Sequence, residues 1–310
     1  MKRFSNYQYV EGEPMSERDK KEAGSKFWNK GKWDNFVVPF LPDDCKNMIL
    51  VDMGCNAGLF LKLAQDRGFS RVIGVDVNKE AIRRARNYKE RNGGTYEILY
   101  SDIRACIDKL PAADFIVFAN SHYYLPIDHW LNLLDKLRVK TRYCILVTVE
   151  KRIGTHRASG HLVDIRNYFR DWRENGITKV SLENDPFPRP LYGLCFKSCW
   201  IDRVSIDNLI DSNSVWRTLY DFWVEIDKGV DFCKTPYYEI LKKRRIERRK
   251  WDKDKVDASF RQKIEIFQDM KKNGLKEPLI VDRNNKVIDG NHRLEIMRYL
   301  GYKSVLVRRV

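Results

Sequence analysis

The stretch Met48-Ile-Leu-Val-Asp52-Met-Gly54-Cys-Asn56-Ala-Gly58-Leu-Phe60 decides the fold. A short apolar run ends in an acid, two glycines follow four residues apart, and a new apolar pattern begins. That order predicts a buried strand, a tight Gly-rich turn and the start of a helix. Glycine matters here because only a residue without Cβ lets the backbone pass close to a bound ligand. Downstream the alternation continues. Strand-like runs at 71–75, 96–100, 114–119 and 143–149 are separated by helical patterns at 58–65, 79–89, 103–110 and 129–137. The expected fold class is α/β, with a mostly parallel sheet covered on both faces. In such sheets ligands lie beyond the carboxyl ends of the strands, near the point where strand order reverses.

Polar residues recur at those ends. The second strand closes as Val72-Ile-Gly-Val-Asp76, and an acid about twenty residues beyond the first glycines is placed to accept from ribose hydroxyls. The third closes as Tyr100-Ser101-Asp102-Ile103, where Asp102 either accepts from an adenine amino group or N-caps the next helix. The fourth closes as Asn120-Ser121-His122-Tyr123-Tyr124, a polar and aromatic cluster expected to face the same cleft.

These residues carry a resemblance. From 48 to about 150, and by extension to 198, the chain resembles the class I S-adenosylmethionine-dependent methyltransferases. The family's acid-x-Gly-x-x-x-Gly motif stands as Asp52-Met-Gly54-Cys-Asn-Ala-Gly58. Its ribose-binding acid matches Asp76 and its adenine-proximal acid matches Asp102. The single-spaced glycine pair of dinucleotide enzymes is missing, which suits a sulfonium cofactor that has no pyrophosphate to seat on a helix. The resemblance implies a Rossmann-like sheet closed by an antiparallel hairpin, with S-adenosylmethionine held by Asp52, Gly54, Asn56, Gly58, Asp76, Asp102 and Asn120. His122 and Tyr123 are the catalytic candidates. Family members that methylate base amino groups carry Asp/Asn/Ser-Pro-Pro-aromatic after the fourth strand, and this chain lacks both prolines. His122 is read either as a general base with an ordinary pKa or as a hydrogen-bonding residue of the cleft wall.

Residues 1–46 start polar and charged and then turn aromatic, with Trp28, Trp33 and Phe36, as expected of a helical cap that packs on the next domain or closes over its ligand. Leu162, Ile165, Tyr168, Phe169 and Trp172 give 161–174 a helical core face, and 178–182 and 191–197 read as two strands of a hairpin. His156 and His161 fall in the loop after the fifth strand. Together 47–198 form the expected methyltransferase domain.

A fresh start near Trp200 opens a second domain, 199–310, with helical patterns at 215–226, 235–249 and 257–272 inside an insertion at 213–273. The run Lys242-Lys-Arg-Arg-Ile-Glu-Arg-Arg-Lys-Trp251 either grips phosphates, with Trp251 free for stacking, or is a solvated face. Asp289-Gly290-Asn291-His292-Arg293 places backbone N–H groups, an imidazole and a guanidinium at one helix start, a phosphate-site pattern. Together with Val204-Ser-Ile-Asp-Asn-Leu209 as an opening strand, it resembles the ParB/sulfiredoxin-like superfamily. That resemblance implies nucleotide phosphate binding by Gly290, Asn291, His292 and Arg293, with ATP or another nucleotide and Mg2+, and a kinase-like second activity on the same acceptor.

The 310 residues allow two domains, and 43% hydrophobic with 12% aromatic content is ample for packed cores. The formal charge of +15 points to an anionic partner. Two acceptor classes fit: a hydroxyl- or phosphate-bearing glycan or small molecule, and, as the alternative, RNA or DNA docked by the second domain and its basic helix. No apolar run approaches the ~20 residues that span a bilayer, and Met1-Lys-Arg-Phe-Ser-Asn lacks the apolar segment of a secretory signal. The seven cysteines are scattered without a Cys-x-x-Cys pair, so the expectation is a cytoplasmic protein with reduced thiols and no structural metal.

Overall fold

The computed structural model describes residues 8–12, 29–149, 169, 172–180, 191–210 and 216–310. Trp28, His156, His161, the first part of the helix expected over 161–174, and the Tyr123 side chain lie outside the described residues. The chain divides into two compact units, Met1–Cys199 and Trp200–Val310.

The first unit is built on a seven-stranded sheet. Its strands are β1 (Ile49–Met53), β2 (Arg71–Asp76), β3 (Glu97–Tyr100), β4 (Ala113–Ala119), β5 (Thr141–Val149), β6 (Trp172–Val180) and β7 (Leu191–Ser198). They lie in the order β3-β2-β1-β4-β5-β7-β6. β1 to β5 are mutually parallel, and β7 runs antiparallel to both β5 and β6. Strand order reverses between β1 and β4, so the ligand-binding crevice of such a sheet falls beyond Met53 and Ala119.

The helices are α1 (Asn29–Phe36), α2 (Leu59–Asp66), α3 (Lys79–Arg91), the single turn α4 (Ile103–Cys106) and α5 (Ile127–Arg138). Strand side chains alternate between two cores, as a period of two requires. Leu50, Val72, Phe115, Val117, Ile145 and Val147 meet Phe60 and Leu61 of α2 and Trp33 and Phe36 of α1. Val51, Met53, Ile73, Val75, Ile116, Phe118 and Leu146 meet Trp130, Leu133 and Leu134 of α5. Burial on both faces explains why these strands read as near-continuous apolar runs. Trp33 sits edge-on to Phe60 at 5.2 Å, and Val10 is also buried in that core. The described part of the N-terminal segment is therefore an integral piece of the unit.

One sequence expectation fails here. Residues 172–174, read as the end of a helix, begin β6 instead. The aromatic pattern has a tertiary cause: Phe169 stacks on Phe196 of β7 and Trp172 packs edge-on to Phe169 at 5.5 Å. An aromatic cluster over a sheet mimicked a helix face.

The second unit has a four-stranded sheet ordered β10-β9-β11-β8. Its strands are β8 (Ile201–Ser205), β9 (Leu279–Val281), β10 (Val287–Asp289) and β11 (Ser304–Arg309). β11 is parallel to β9 and antiparallel to β8. Helices α6 (Trp216–Asp227), α7 (Pro236–Arg249) and α8 (Lys253–Asn273) separate β8 from β9, and α9 (Asn291–Tyr299) follows β10. The core is aromatic on the helical side, with Phe222, Trp223, Tyr237, Tyr238, Phe260 and Phe267 buried. Trp223 stacks on Phe267 at 5.1 Å.

Candidate active site

In the first unit the Gly-rich turn is fastened to its neighbours by backbone hydrogen bonds. Gly54 and Cys55 N–H both donate to the Val75 carbonyl, at 2.7 and 3.0 Å. Gly54 has φ +91, and a Cβ built on it would lie 2.4 Å from the Ser121 Cβ. Glycine is needed there so that the ends of β1 and β4 can close on each other. The Ser121 hydroxyl donates to the Met53 carbonyl across the same gap.

Asp76 holds the turn from the other side. Its Oδ2 accepts from Asn56 N–H at 2.9 Å and its Oδ1 from Asn78 N–H at 2.8 Å. A carboxylate has about four acceptor directions, so two backbone donors leave capacity for two hydroxyls. Asn78 in turn N-caps α3 by accepting from Glu80 and Ala81 N–H.

Asp52 is the unusual group. Only 1% of it is exposed, and neither carboxylate oxygen has a hydrogen-bond partner among the described residues. Burial, and then the nearby charge of Asp76, push its pKa up to about 8. A buried acceptor left without a donor is costly. The arrangement suits a donor-bearing, cationic ligand group.

The other predicted residues take different roles. Asp102 caps α4 by accepting from Arg104 N–H at 2.8 Å and pairs with the Arg104 guanidinium, which holds its carboxyl below the usual range. Arg104 also reaches His129 Nδ1 at 3.0 Å. Asn120 adopts φ +61 at the end of β4. With its amide nitrogen toward the Val147 carbonyl at 2.8 Å, its oxygen accepts from Lys32 Nζ at 3.0 Å.

His122 has two sequence readings, general base or cleft-wall residue. Its ring is buried, packs 5.9 Å from the Trp130 ring, and burial pushes its pKa down to about 3. That burial weighs against the general-base reading. Tyr124, two residues on, is exposed.

Sequence reading missed Val77 and Tyr100. They are 65% and 57% exposed and stand at the ends of β2 and β3, where Asp76 pairs in register with Tyr100. Large apolar groups left open beside an acid at two adjacent strand ends are walls suited to a flat ring. The signal was available, as an apolar residue next to Asp76 and an aromatic one two before Asp102. Lys32 carried no such signal, because its role depends on where α1 packs.

In the second unit Gly290 has φ +97 and opens α9 without a side-chain cap. Arg293 folds back: it pairs with Asp289 at 3.0 Å and donates to the Glu277 carbonyl at 3.0 Å. A Cβ on Gly290 would meet Leu279 at 2.7 Å and the Arg293 guanidinium at 3.0 Å. Gly290 thus makes room for packing, and Arg293 already has an acid. His292 is held well below its ordinary pKa, at about 3, by burial and then by Lys263 and Arg245. Trp251, expected to be free for stacking, is instead covered by Arg245 at 4.7 Å, Lys255 at 5.1 Å and Arg249 at 5.9 Å from its ring. Among the described residues no helix is long and apolar enough to cross a membrane, and no group of three or more His, Cys, Asp or Glu is arranged to hold a metal.

A seven-stranded sheet in this order, with a Gly-rich turn at its switch point and acids at or next to the ends of β1 and β2, is consistent with a Rossmann-like methyltransferase fold. The chain belongs to the family described as "Methyltransferase domain", whose model matches residues 27–183. That span stops short of the second unit. A tRNA U34 carboxymethyltransferase of Shewanella frigidimarina is 30% identical over 116 residues, 35% of this chain and 33% of that protein. A ribosomal protein L11 methyltransferase of Tolumonas auensis is 42% identical over 50 residues, 16% of this chain and 17% of that protein. The chain thus spans a third or less of the length of these relatives. Among solved structures, magnesium protoporphyrin IX methyltransferase of Synechocystis with bound S-adenosylmethionine is 17% identical, with a TM-score of 0.47 over 60% of this chain and 87% of that one.

Proposed function

We propose that the first unit binds S-adenosylmethionine across the ends of β1, β2 and β4 and methylates an acceptor that already carries an anionic oxygen. The observation that carries the first half is Asp52, a buried carboxylate without a donor. The cofactor supplies an electrophilic methyl on a sulfonium leaving group. Asp52 would take the cofactor's ammonium end, directly or through water, in a setting where one charge–charge hydrogen bond is worth more than in solvent. Asp76 keeps acceptor capacity for two ribose hydroxyls while holding Asn56 in place. Val77 and Tyr100 would flank the adenine, with Asp102 at its edge. Gly54, Gly58 and Asn120 shape the turn and the wall opposite.

The acceptor reading follows from what His122 is. A buried imidazole with a pKa near 3 stays neutral at pH 7 and is a weak proton acceptor. With His122 a weak base, alignment carries more of the transfer, which favours a nucleophile that needs no deprotonation. A phosphate-bearing glycan end or small molecule has one. Lys32, beside Asn120, and the Arg104–His129 pair are polar groups that border the strand ends. Tyr123 remains a candidate contact for the acceptor.

Nucleic acid is the second reading, favoured by the exposed basic residues of α7 and by the tRNA-modifying relative. For the second unit the finer reading is a phosphate- or nucleotide-binding module around Gly290, Asn291, His292 and Arg293, with ATP and Mg2+ as the expected ligands and a kinase-like step as its chemistry. The ParB/sulfiredoxin-like resemblance is part of that proposal.

Isothermal titration with S-adenosylmethionine tests the cofactor. Wild type should bind, and Asp76→Ala should weaken binding by about 100-fold, the cost of two hydrogen bonds to a charged group. Unchanged affinity in that variant would sink the assignment. Labelled-methyl transfer to cell extract, fractionated into glycan, small-molecule and nucleic-acid pools, separates the acceptor readings.

A further inference from the structure

Among the described residues, the helices between β8 and β9 bury a positive charge with no acid hydrogen-bonded to it. Lys263 of α8 is 9% exposed, and its Nζ has no hydrogen-bond partner among the described residues. It lies 4.7 Å from the centre of the Phe260 ring. Arg245 of α7 reaches the same ring, its Cζ at 5.9 Å, and donates to the Ser259 hydroxyl. Tyr237 packs on Phe260 at 5.8 Å and on His292 at 6.3 Å. Asp257, one turn before Phe260 on α8, accepts instead from the Tyr238 hydroxyl at 2.6 Å. At the same place α9 begins: it has no side-chain cap, and both Asn291 Oδ1 and His292 Nδ1 are buried without a partner.

We propose that Lys263, Arg245, Tyr237 and the first turn of α9 form a binding site for a tetrahedral oxyanion, the phosphate group of a small phosphorylated molecule. The inference rests on the phosphate-binding reading of the second unit and changes its residues. The cation is supplied by the inserted helices, because Arg293 is spent on Asp289 and the Glu277 carbonyl.

Three physical points converge. A buried ammonium without an anion is costly, and the Lys263 pKa is accordingly pushed down to about 7, by burial and then by Arg245. An oxyanion there would relieve repulsion between Lys263 and Arg245. The first N–H groups of α9 have no carbonyl within the helix and point toward its N-terminus, where the helix dipole also favours negative charge. Phosphate offers acceptors in enough directions to meet an ammonium, a guanidinium and those N–H groups together. The Tyr237 ring borders the same place, against Phe260 and His292.

The test uses the full chain, titrated calorimetrically with inorganic phosphate and, in a second arm, with ATP. Wild type should bind phosphate, and Lys263→Met should lose at least about tenfold in affinity while its phosphate-free thermal midpoint stays level or rises, since a buried charge has gone. Arg245→Gln should also weaken binding, and Arg293→Gln should cost less than Lys263→Met. ATP binding that is tighter than phosphate and equally dependent on Lys263 makes the ligand a nucleotide. Equal affinities mean that only the phosphate group is read.

Sulfate, whose charge is constant over the range, should bind more weakly as pH rises through 7, with protons taken up on binding. The charged and titratable neighbours that set this response are Arg245, His292 and Tyr237. Phosphate binding that survives in Lys263→Met but is lost in Arg293→Gln would overturn the proposal and leave the phosphate-binding reading standing. No binding of either ligand would overturn both.

Discussion

Each unit holds a buried ionisable group that no described residue pairs with, and the two are of opposite kind. In the first, Asp52, next to the end of β1, has both oxygens unsatisfied, and burial pushes its pKa up to about 8. In the second, Lys263 lies under Phe260 with its nitrogen unsatisfied, and burial pushes its pKa down to about 7. Desolvation acts on both in the same way, favouring the neutral form. What differs is the ligand each asks for: a cationic donor beside Asp52, an anion beside Lys263. The settings differ too. Asp52 sits in a central strand, between its backbone-paired neighbours β2 and β4, whereas Lys263 sits on a helix beside aromatic side chains.

The largest expected effect breaks that comparison on the acid side. Asp52→Asn should reduce S-adenosylmethionine affinity by about 100-fold or more, since a charge-assisted contact becomes a neutral one. The same change should raise the thermal midpoint of the cofactor-free protein at pH 8. The sign follows from linkage. A carboxyl whose pKa is raised in the folded state binds more protons folded than unfolded, so stability falls as pH rises from about 4 to about 8. Asparagine removes that slope. A midpoint that drops at pH 8 in Asp52→Asn would show that the carboxylate has a partner and that the comparison is false.

Next in size is the turn itself. Gly54→Ala should cost about 2–4 kcal/mol, from φ +91 and from the 2.4 Å approach of its Cβ to the Ser121 Cβ. Gly68, at φ +94 with open space around a Cβ, isolates the backbone contribution. Gly68→Ala should cost only about 1 kcal/mol. Urea unfolding of both variants measures the difference, and equal losses would mean that close approach of β4 is not what Gly54 serves.

The sheet was legible because its strands are buried on both faces and its helices are amphipathic, so local pattern and global position agree. The positions of Asp52, Gly54 and Asp76 at the strand ends were legible for a related reason: the apolar runs before them mark where each strand stops. Burial was not legible. Nothing in Asn120-Ser121-His122-Tyr123 announces that Trp130, eight residues after His122, closes over its ring. Nor does Gly290-Asn291-His292-Arg293 reveal that Asp289 claims the guanidinium, leaving Lys263 of a different helix as the uncompensated cation. The aromatic run before β6 failed likewise, because Phe169 and Trp172 answer to β7 rather than to each other's helical spacing.

A smaller effect compares the two buried imidazoles. His122 and His292 are both held near pKa 3, the first by burial alone and the second by burial and then Lys263 and Arg245. A histidine whose folded pKa is depressed gives stability that is present above its unfolded value of about 6.5 and lost as pH falls toward 3. Thermal midpoints should therefore fall between pH 6.5 and pH 4, less steeply in His122→Phe and in His292→Phe. Saturating phosphate should flatten the curve only where His292 is intact, because an anion beside it raises its pKa. If phosphate acts identically in His292→Phe, that imidazole does not face the anion.

The smallest effect concerns the basic surface of α7, and it separates the two acceptor readings without disturbing either buried charge. Lys243, Arg244 and Arg248 are exposed, and Trp251 is already occupied by Arg245, Arg249 and Lys255. The helix therefore offers charge without an open stacking face. RNA bound there would be held through phosphates alone, with a logarithmic salt slope that falls by roughly one unit for each lysine or arginine removed. Replacing Lys243, Arg244 and Arg248 by glutamine should lower that slope by about three and leave S-adenosylmethionine binding unchanged. If methyl transfer to the true acceptor is indifferent both to these changes and to salt, the basic helix is a solvated face, and a small phosphorylated acceptor is the one to pursue.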